Sequence, residues 1–134
     1  MRSHLRIAAA LGFIGFMVCI IVIANRGEGD RWWSFIGAIP YGDKVGHVGL
    51  IGTLSLLCNL AFRPRQPGFL PRRITLTTFI LLVLLSLEEL SQAFTPTRTC
   101  DVYDWLADLV GLAAGQWLAF QLRGKPNPRR AHDQ

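Results

Sequence analysis

Four strongly apolar runs of helical length dominate the chain, at residues 5–24, 44–62, 74–94 and 102–122. A run of about 20 residues is roughly 30 Å long as an α-helix, the thickness of a hydrocarbon core, and a helix there satisfies its own backbone polar groups. Composition agrees, because 51% hydrophobic and 17% charged residues is too apolar for an ordinary small soluble domain. The expected fold is therefore all-α: a polytopic membrane protein, a four-transmembrane-helix bundle forming one domain over residues 1–134 and ending in a basic tail, 123–134. The Met1-Arg-Ser-His-Leu-Arg6 start also resembles a secretory signal. The apolar run that follows exceeds a signal's usual h-region of about 7 to 15 residues, and Ile23-Ala24-Asn25 is a poor cleavage site. A retained first span is expected.

Charge is distributed by side. The N-terminus (Arg2, Arg6), the second turn (Arg63, Arg65, Arg72, Arg73) and the tail (Arg123, Lys125, Arg129, Arg130) carry ten of the 14 basic residues and one acid, Asp133. The other two connections and their flanks carry eight of the nine acids. Basic residues stay on the cytoplasmic side, so both termini are expected inside. The net charge of +5 then reads as a topology signal and a contact with anionic headgroups, with no nucleic acid as partner.

Residues 88–108, "EELSQAFTPTRTCDVYDWLAD", concentrate carboxylates between two apolar runs, on the expected outer side. At helical rise Glu89 lies roughly 8 Å down the third span, Asp108 about 9 Å down the fourth and His47 about 5 Å down the second. Asp101, Asp104 and Asp108 form one helical stripe, continued by Gly111 and Gly115, whose Gly-xxx-Gly spacing lets a second backbone come close. The stripe should face into the bundle. Glu88 and Glu89 both share a face with Gln92, and spacing leaves open which of them turns inward. Lys44 and His47 stack one turn apart.

Each residue has a plainer alternative. Asp43 and Asp101 fit N-caps of their helices; Lys44 fits a side chain snorkelling to the headgroups; Arg98 fits an exposed positioning residue or an ion pair. Ionisable groups at membrane depth are functional by default, which favours roles for His47 and Glu89. For Glu89 the structural reading is a pairing with His47, Lys44 or Arg98. Crowded carboxylates also make a proton-donating acid available.

Asp43-Lys44-x-x-His47, Glu89-x-x-Gln92, Pro96, Arg98, Asp101, Asp104 and Gly111 together resemble the VanZ-like family of small polytopic bacterial membrane proteins, over roughly residues 41–116. The chain departs from that pattern at Asp108, where the family commonly has asparagine, and at Val48 and Ile51, where aromatic residues are common. The resemblance implies the bacterial cytoplasmic membrane and envelope processes related to glycopeptide (teicoplanin) resistance. It implies no particular chemistry.

Three classes of function fit. A binding protein would use Lys44, Arg98 and Gln92, with Asp43, Asp101 and Asp108 ordering the cations, to hold an anionic lipid headgroup, a lipid-linked cell-wall precursor or a peptidoglycan stem. An enzyme would use Glu89, His47 and Asp104 as general acid and base on a lipid-phosphate or glycan-lipid bond. A proton or cation relay ranks last, for want of an inverted repeat. No cofactor is expected; a divalent metal beside His47 is a subsidiary option, since the spacing matches no closed ligand motif. Trp32, Trp33, Phe35, Tyr41, Tyr103 and Trp105 are expected in an outer aromatic belt, with residues 30–40 also fitting a short interfacial helix. Cys19 and Cys58 read as small apolar residues, and Cys100 stands alone on the outer side.

Overall fold

The computed structural model describes every residue except Met1, Arg63, Arg72 and 124–134; most of the expected basic tail therefore lies outside the described residues. Among those described there are five helices and no strand: α1 (Arg2–Asn25), α2 (Gly29–Gly37), α3 (Gly42–Ala61), α4 (Leu76–Gln92) and α5 (Val102–Arg123). Four of them coincide with the apolar runs. The fifth, α2, occupies the aromatic stretch after α1, as the interfacial-helix alternative anticipated.

Local chemistry sets the helix ends. Gly27, at φ +73°, closes α1 with its N–H bonded to Ala24 O, a left-handed stop that glycine enters without steric cost. Thr75 caps α4 by accepting the N–H of Thr78, the bond a β-hydroxyl supplies at a helix start. At α3 the cap position is Tyr41, itself left-handed at φ 59°, with no side-chain capping bond. The expected N-cap role of Asp43 is thus corrected: Asp43 sits inside the first turn. Asp101 does cap α5, its Oδ1 accepting the N–H of Tyr103 at 2.8 Å.

Two helices, over Ser3–Asn25 and Gly42–Ala61, are long and apolar enough to cross a membrane. Apolar side chains cover much of the exterior, and the interior combines an apolar core around Ile51, Leu54 and Leu81 with buried polar groups. Large exposed apolar side chains include Phe16 and Val22 on α1, Leu84 and Leu87 on α4, and Val110 and Trp117 on α5. Among the described residues seven polar side chains are buried against eight apolar ones. Water would penalise that arrangement, whereas hydrocarbon favours it, because internal partners are then the only ones available to polar groups.

The tightest packing is between α3 and α5, which run side by side in the same direction. A Cβ added at Gly111 would stand 2.9 Å from Val48 O, and one at Gly115 would collide with Gly52 O, so α5 approaches the α3 backbone through bare glycine. The Gly-xxx-Gly expectation is met. α4 packs on α3 and α5, and α1 on α3.

A polar network fastens α3, α4 and α5 at the end where α3 stops. Ser55 Oγ donates to Leu112 O (2.9 Å), Asn59 Nδ2 to Thr78 Oγ1 (2.9 Å), and Thr75 Oγ1 to Asn59 Oδ1 (2.7 Å). Gln116 accepts the Thr75 N–H and donates to Arg73 O. Arg123 covers the orphan carbonyls of Asn59 and Phe62 at the α3 terminus.

Candidate functional site

Because α3 and α5 are parallel, their N-termini lie together at the opposite end, and two helix starts favour negative charge there. Six carboxylates gather: Asp43 from α3, Glu88 and Glu89 from α4, and Asp101, Asp104 and Asp108 from the start of α5. Opposite them stand Lys44, His47 and Arg98.

Lys44 is the centre. Its Nζ lies 2.8 Å from Asp43 Oδ2, 2.7 Å from Asp101 Oδ2 and 2.7 Å from Asp104 Oδ1. The ammonium donates to Asp43 and Asp101 and pairs with Asp104 by charge alone, so Lys44 is the hub of an ion-pair cluster and more than a lone side chain reaching for the headgroups. The Lys44 ammonium holds the Asp101 carboxyl below its ordinary value of 3.8, with help from the Tyr103 N–H.

One turn along α3, His47 Nδ1 is 2.8 Å from Asp108 Oδ1. An ionised carboxylate only accepts, so Nδ1 carries the proton. Nε2 is then left facing Asp104 Oδ2 across 3.9 Å, beyond hydrogen-bond reach. Asp108, at the position of the family's common asparagine, takes the imidazole N–H that an amide oxygen would also accept. Its side chain is 5% exposed while that of His47 is 30% exposed, so the dyad is anchored inside and open at the histidine.

Glu89 is the inward-facing glutamate, at 5% exposure. The expected pairing with His47, Lys44 or Arg98 is corrected, because its oxygens are engaged elsewhere. Oε1 accepts the backbone N–H of Asp101 at 2.8 Å and Oε2 accepts from Gln92 Nε2 at 2.9 Å. Glu89 therefore holds the start of α5 against α4, which fixes where Asp101 and Asp104 stand. Gln92 Nε2 also reaches Glu88 Oε2 at 3.0 Å.

Arg98 stands apart from the Lys44 cluster. Its guanidinium is 3.7 Å from Glu88 Oε1 and donates to Asn25 Oδ1 at 3.3 Å, while Thr97 Oγ1 donates to Asn25 O at 2.8 Å. These contacts tie the α4–α5 loop to the end of α1. Asn25 lies 73 residues from Arg98, and no spacing rule points to it. The other partner missed by sequence reasoning is Ser86, which takes the Trp105 indole N–H at 3.0 Å. Trp105 thus faces α4, a correction to the aromatic belt; Trp32, Phe35, Tyr41 and Tyr103 are exposed.

With side chains 17% exposed at Asp104, 25% at Lys44 and 33% at Asp101, the cluster is a shallow half-open depression. A cleft of about 620 Å³ lies elsewhere, among α1, α3 and α4. Among the described residues no three His, Cys, Asp or Glu side chains are grouped so as to hold a metal ion. Chemically the depression offers surplus carboxylate acceptors and one oriented imidazole, and the Arg98 guanidinium lies apart from it on Glu88 and Asn25.

A family model described as VanZ/LLP1 matches residues 10–123. No curated protein and no solved structure matches the chain. The match extends over most of the sequence and takes in every residue of the cluster: the chain belongs to the VanZ-like family.

Proposed function

We propose that the chain is a four-span protein of the bacterial cytoplasmic membrane with both termini cytoplasmic, and that its Lys44 depression opens to the outer face. There it binds a lipid-linked envelope precursor, in processes related to glycopeptide (teicoplanin) resistance. The supporting observation is the convergence of charged groups from three helices at one end of a body whose exterior is otherwise apolar. Buried ionisable groups at membrane depth are retained chiefly where they serve a purpose.

The geometry revises the division of labour. Lys44 is held by three aspartates at 2.7–2.8 Å, whereas Arg98 has longer contacts at 3.7 Å and 3.3 Å and is the cation more readily turned toward an anionic group. Six carboxylates against Lys44, Arg98 and one histidine favour a ligand rich in hydroxyl and ammonium donors, as the glycan and peptide parts of a precursor are. A bare anionic headgroup fits less well.

A second reading has its own support. The Asp108 contact orients the His47 ring and sets Nε2 beside Asp104, 3.9 Å from its Oδ2, a placement that suits a general base. On that reading the protein is a membrane-embedded enzyme acting on a lipid-phosphate or glycan-lipid bond, with Asp104 beside the base and Arg98 stabilising developing negative charge.

The test is Arg98→Ala and His47→Gln, each checked for protein level and thermal stability. Loss of the resistance or envelope phenotype in Arg98→Ala at normal protein level supports the site, and wild-type behaviour of both variants sinks it. Incubating the purified protein with undecaprenyl-linked precursors and following products by mass spectrometry divides the readings. Turnover abolished by His47→Gln selects the enzyme; saturable binding without product selects the binder.

A further inference from the structure

α1 and α4 both lean on α3 and are not among the packed helix pairs. The cleft left between them is about 620 Å³, within the range of roughly 300–1,000 Å³ typical of ligand sites. Ile14 of α1, Cys58 of α3, and Leu81 and Leu84 of α4 line it, with Thr77 and Arg65 where it opens beside the α3–α4 connection. From Leu76 to Leu84 it follows α4 for roughly 12 Å. Phe62, Ile80 and Leu84 on its flanks are 44%, 48% and 56% exposed, so it opens sideways through the apolar exterior.

Charge distinguishes this cleft from ordinary lipid-facing surface. Arg65 is exposed at its rim, and Arg73 lies in the same connection. Arg6 near the start of α1 and Arg123 at the end of α5 add to the basic residues of the chain outside the acidic segments. No aspartate or glutamate occurs from Lys44 to Leu87, nor before Glu28. The greasy slot therefore has a purely cationic rim.

We infer that this cleft holds one acyl chain of an anionic phospholipid, drawn from the leaflet at the basic end, with Arg65 binding the headgroup phosphate. The site is separate from the Lys44 depression and lies at the other end of the bundle. The slot supplies apolar burial for any chain, and Arg65 supplies the preference for net negative charge.

The purified full-length protein in nonionic detergent is titrated with phosphatidylglycerol or phosphatidylcholine of equal chain length, and adducts are counted by native mass spectrometry. Phosphatidylglycerol is expected to give a saturable single adduct, tighter than phosphatidylcholine. Arg65→Ala lowers that preference roughly fivefold, the factor for one basic residue at a membrane surface. Ala61 also lines the slot; Ala61→Trp, which fills it, removes both adducts at unchanged thermal stability, and inorganic phosphate does not compete. Equal binding of the two lipids by the wild type, or an Arg65→Ala preference equal to wild type, overturns the assignment. Arg65 is exposed, so that arm stands even if Ala61→Trp fails to fold.

Discussion

Asp108 keeps its carboxylate within the bundle by accepting the His47 N–H at 2.8 Å. Asp108→Ala leaves the imidazole donor without its partner and should cost about 1–3 kcal/mol, the penalty for an unsatisfied buried polar group. Asp108→Asn retains an acceptor and should cost less than about 1 kcal/mol. Unfolding titrations in mixed micelles read both, and equal losses would show that Asp108 does not orient His47 by this bond. Asp101 supplies a pH dependence. Its folded carboxyl is depressed below 3.8 by Lys44, so its stabilisation is fully present above that value and is lost as pH falls through the folded one. The thermal stability of wild type should exceed that of Asp101→Asn at pH 5–8, and the gap should close as pH drops below about 4; a gap constant down to pH 2 would refute the pairing. Residue spacing made Lys44, His47, Asp104 and Asp108 legible as neighbours, since a stripe at i, i+3 and i+7 has one direction to face. It did not reveal that Glu89 binds a backbone N–H, because that partner has no side-chain signature.

The α3–α5 contact exists because two positions lack a Cβ. Gly111→Val and Gly115→Val should each force the helices apart and cost about 1–3 kcal/mol or more by overpacking. Gly46→Ala and Gly49→Ala, where an added Cβ meets nothing within 4 Å, should be neutral or mildly stabilising. Thermal unfolding in detergent compares the four, and tolerance at Gly115 would disprove the close approach. At this scale the sequence was most readable. Hydrophobic runs marked α1, α3, α4 and α5 within three residues at each end, because each run is apolar along a helical length and is bounded by polar and turn residues. Asp43 was misread as a cap because the turn before α3 uses a left-handed Tyr41 instead. Trp105 was misread as a belt residue because only the packing of α4 against α5 reveals the Ser86 hydroxyl.

For the whole molecule the decisive quantity is orientation. Cys100 is exposed at the acidic end, so a membrane-impermeant thiol reagent should label it in intact spheroplasts. A cysteine placed at Arg65 should react only after lysis. Labelling in the reverse order would put the carboxylate cluster on the cytoplasmic side and end the precursor reading. Charge counting yields an expected orientation for this experiment to check, whereas nothing in the sequence pointed to how the helices are fastened. Asn59, Thr75 and Gln116 lie far apart in sequence, on α3, at the start of α4 and on α5, and only the folded chain joins them. That joint has a mechanical consequence. One extremity of the bundle is riveted mainly by neutral hydrogen bonds that dissolved salt leaves unscreened, with the Arg123 guanidinium added on two carbonyls, while the other is closed by partly exposed ion pairs that salt weakens. The ion pairs around Lys44 should therefore loosen as ionic strength rises, while the joint at Asn59 holds.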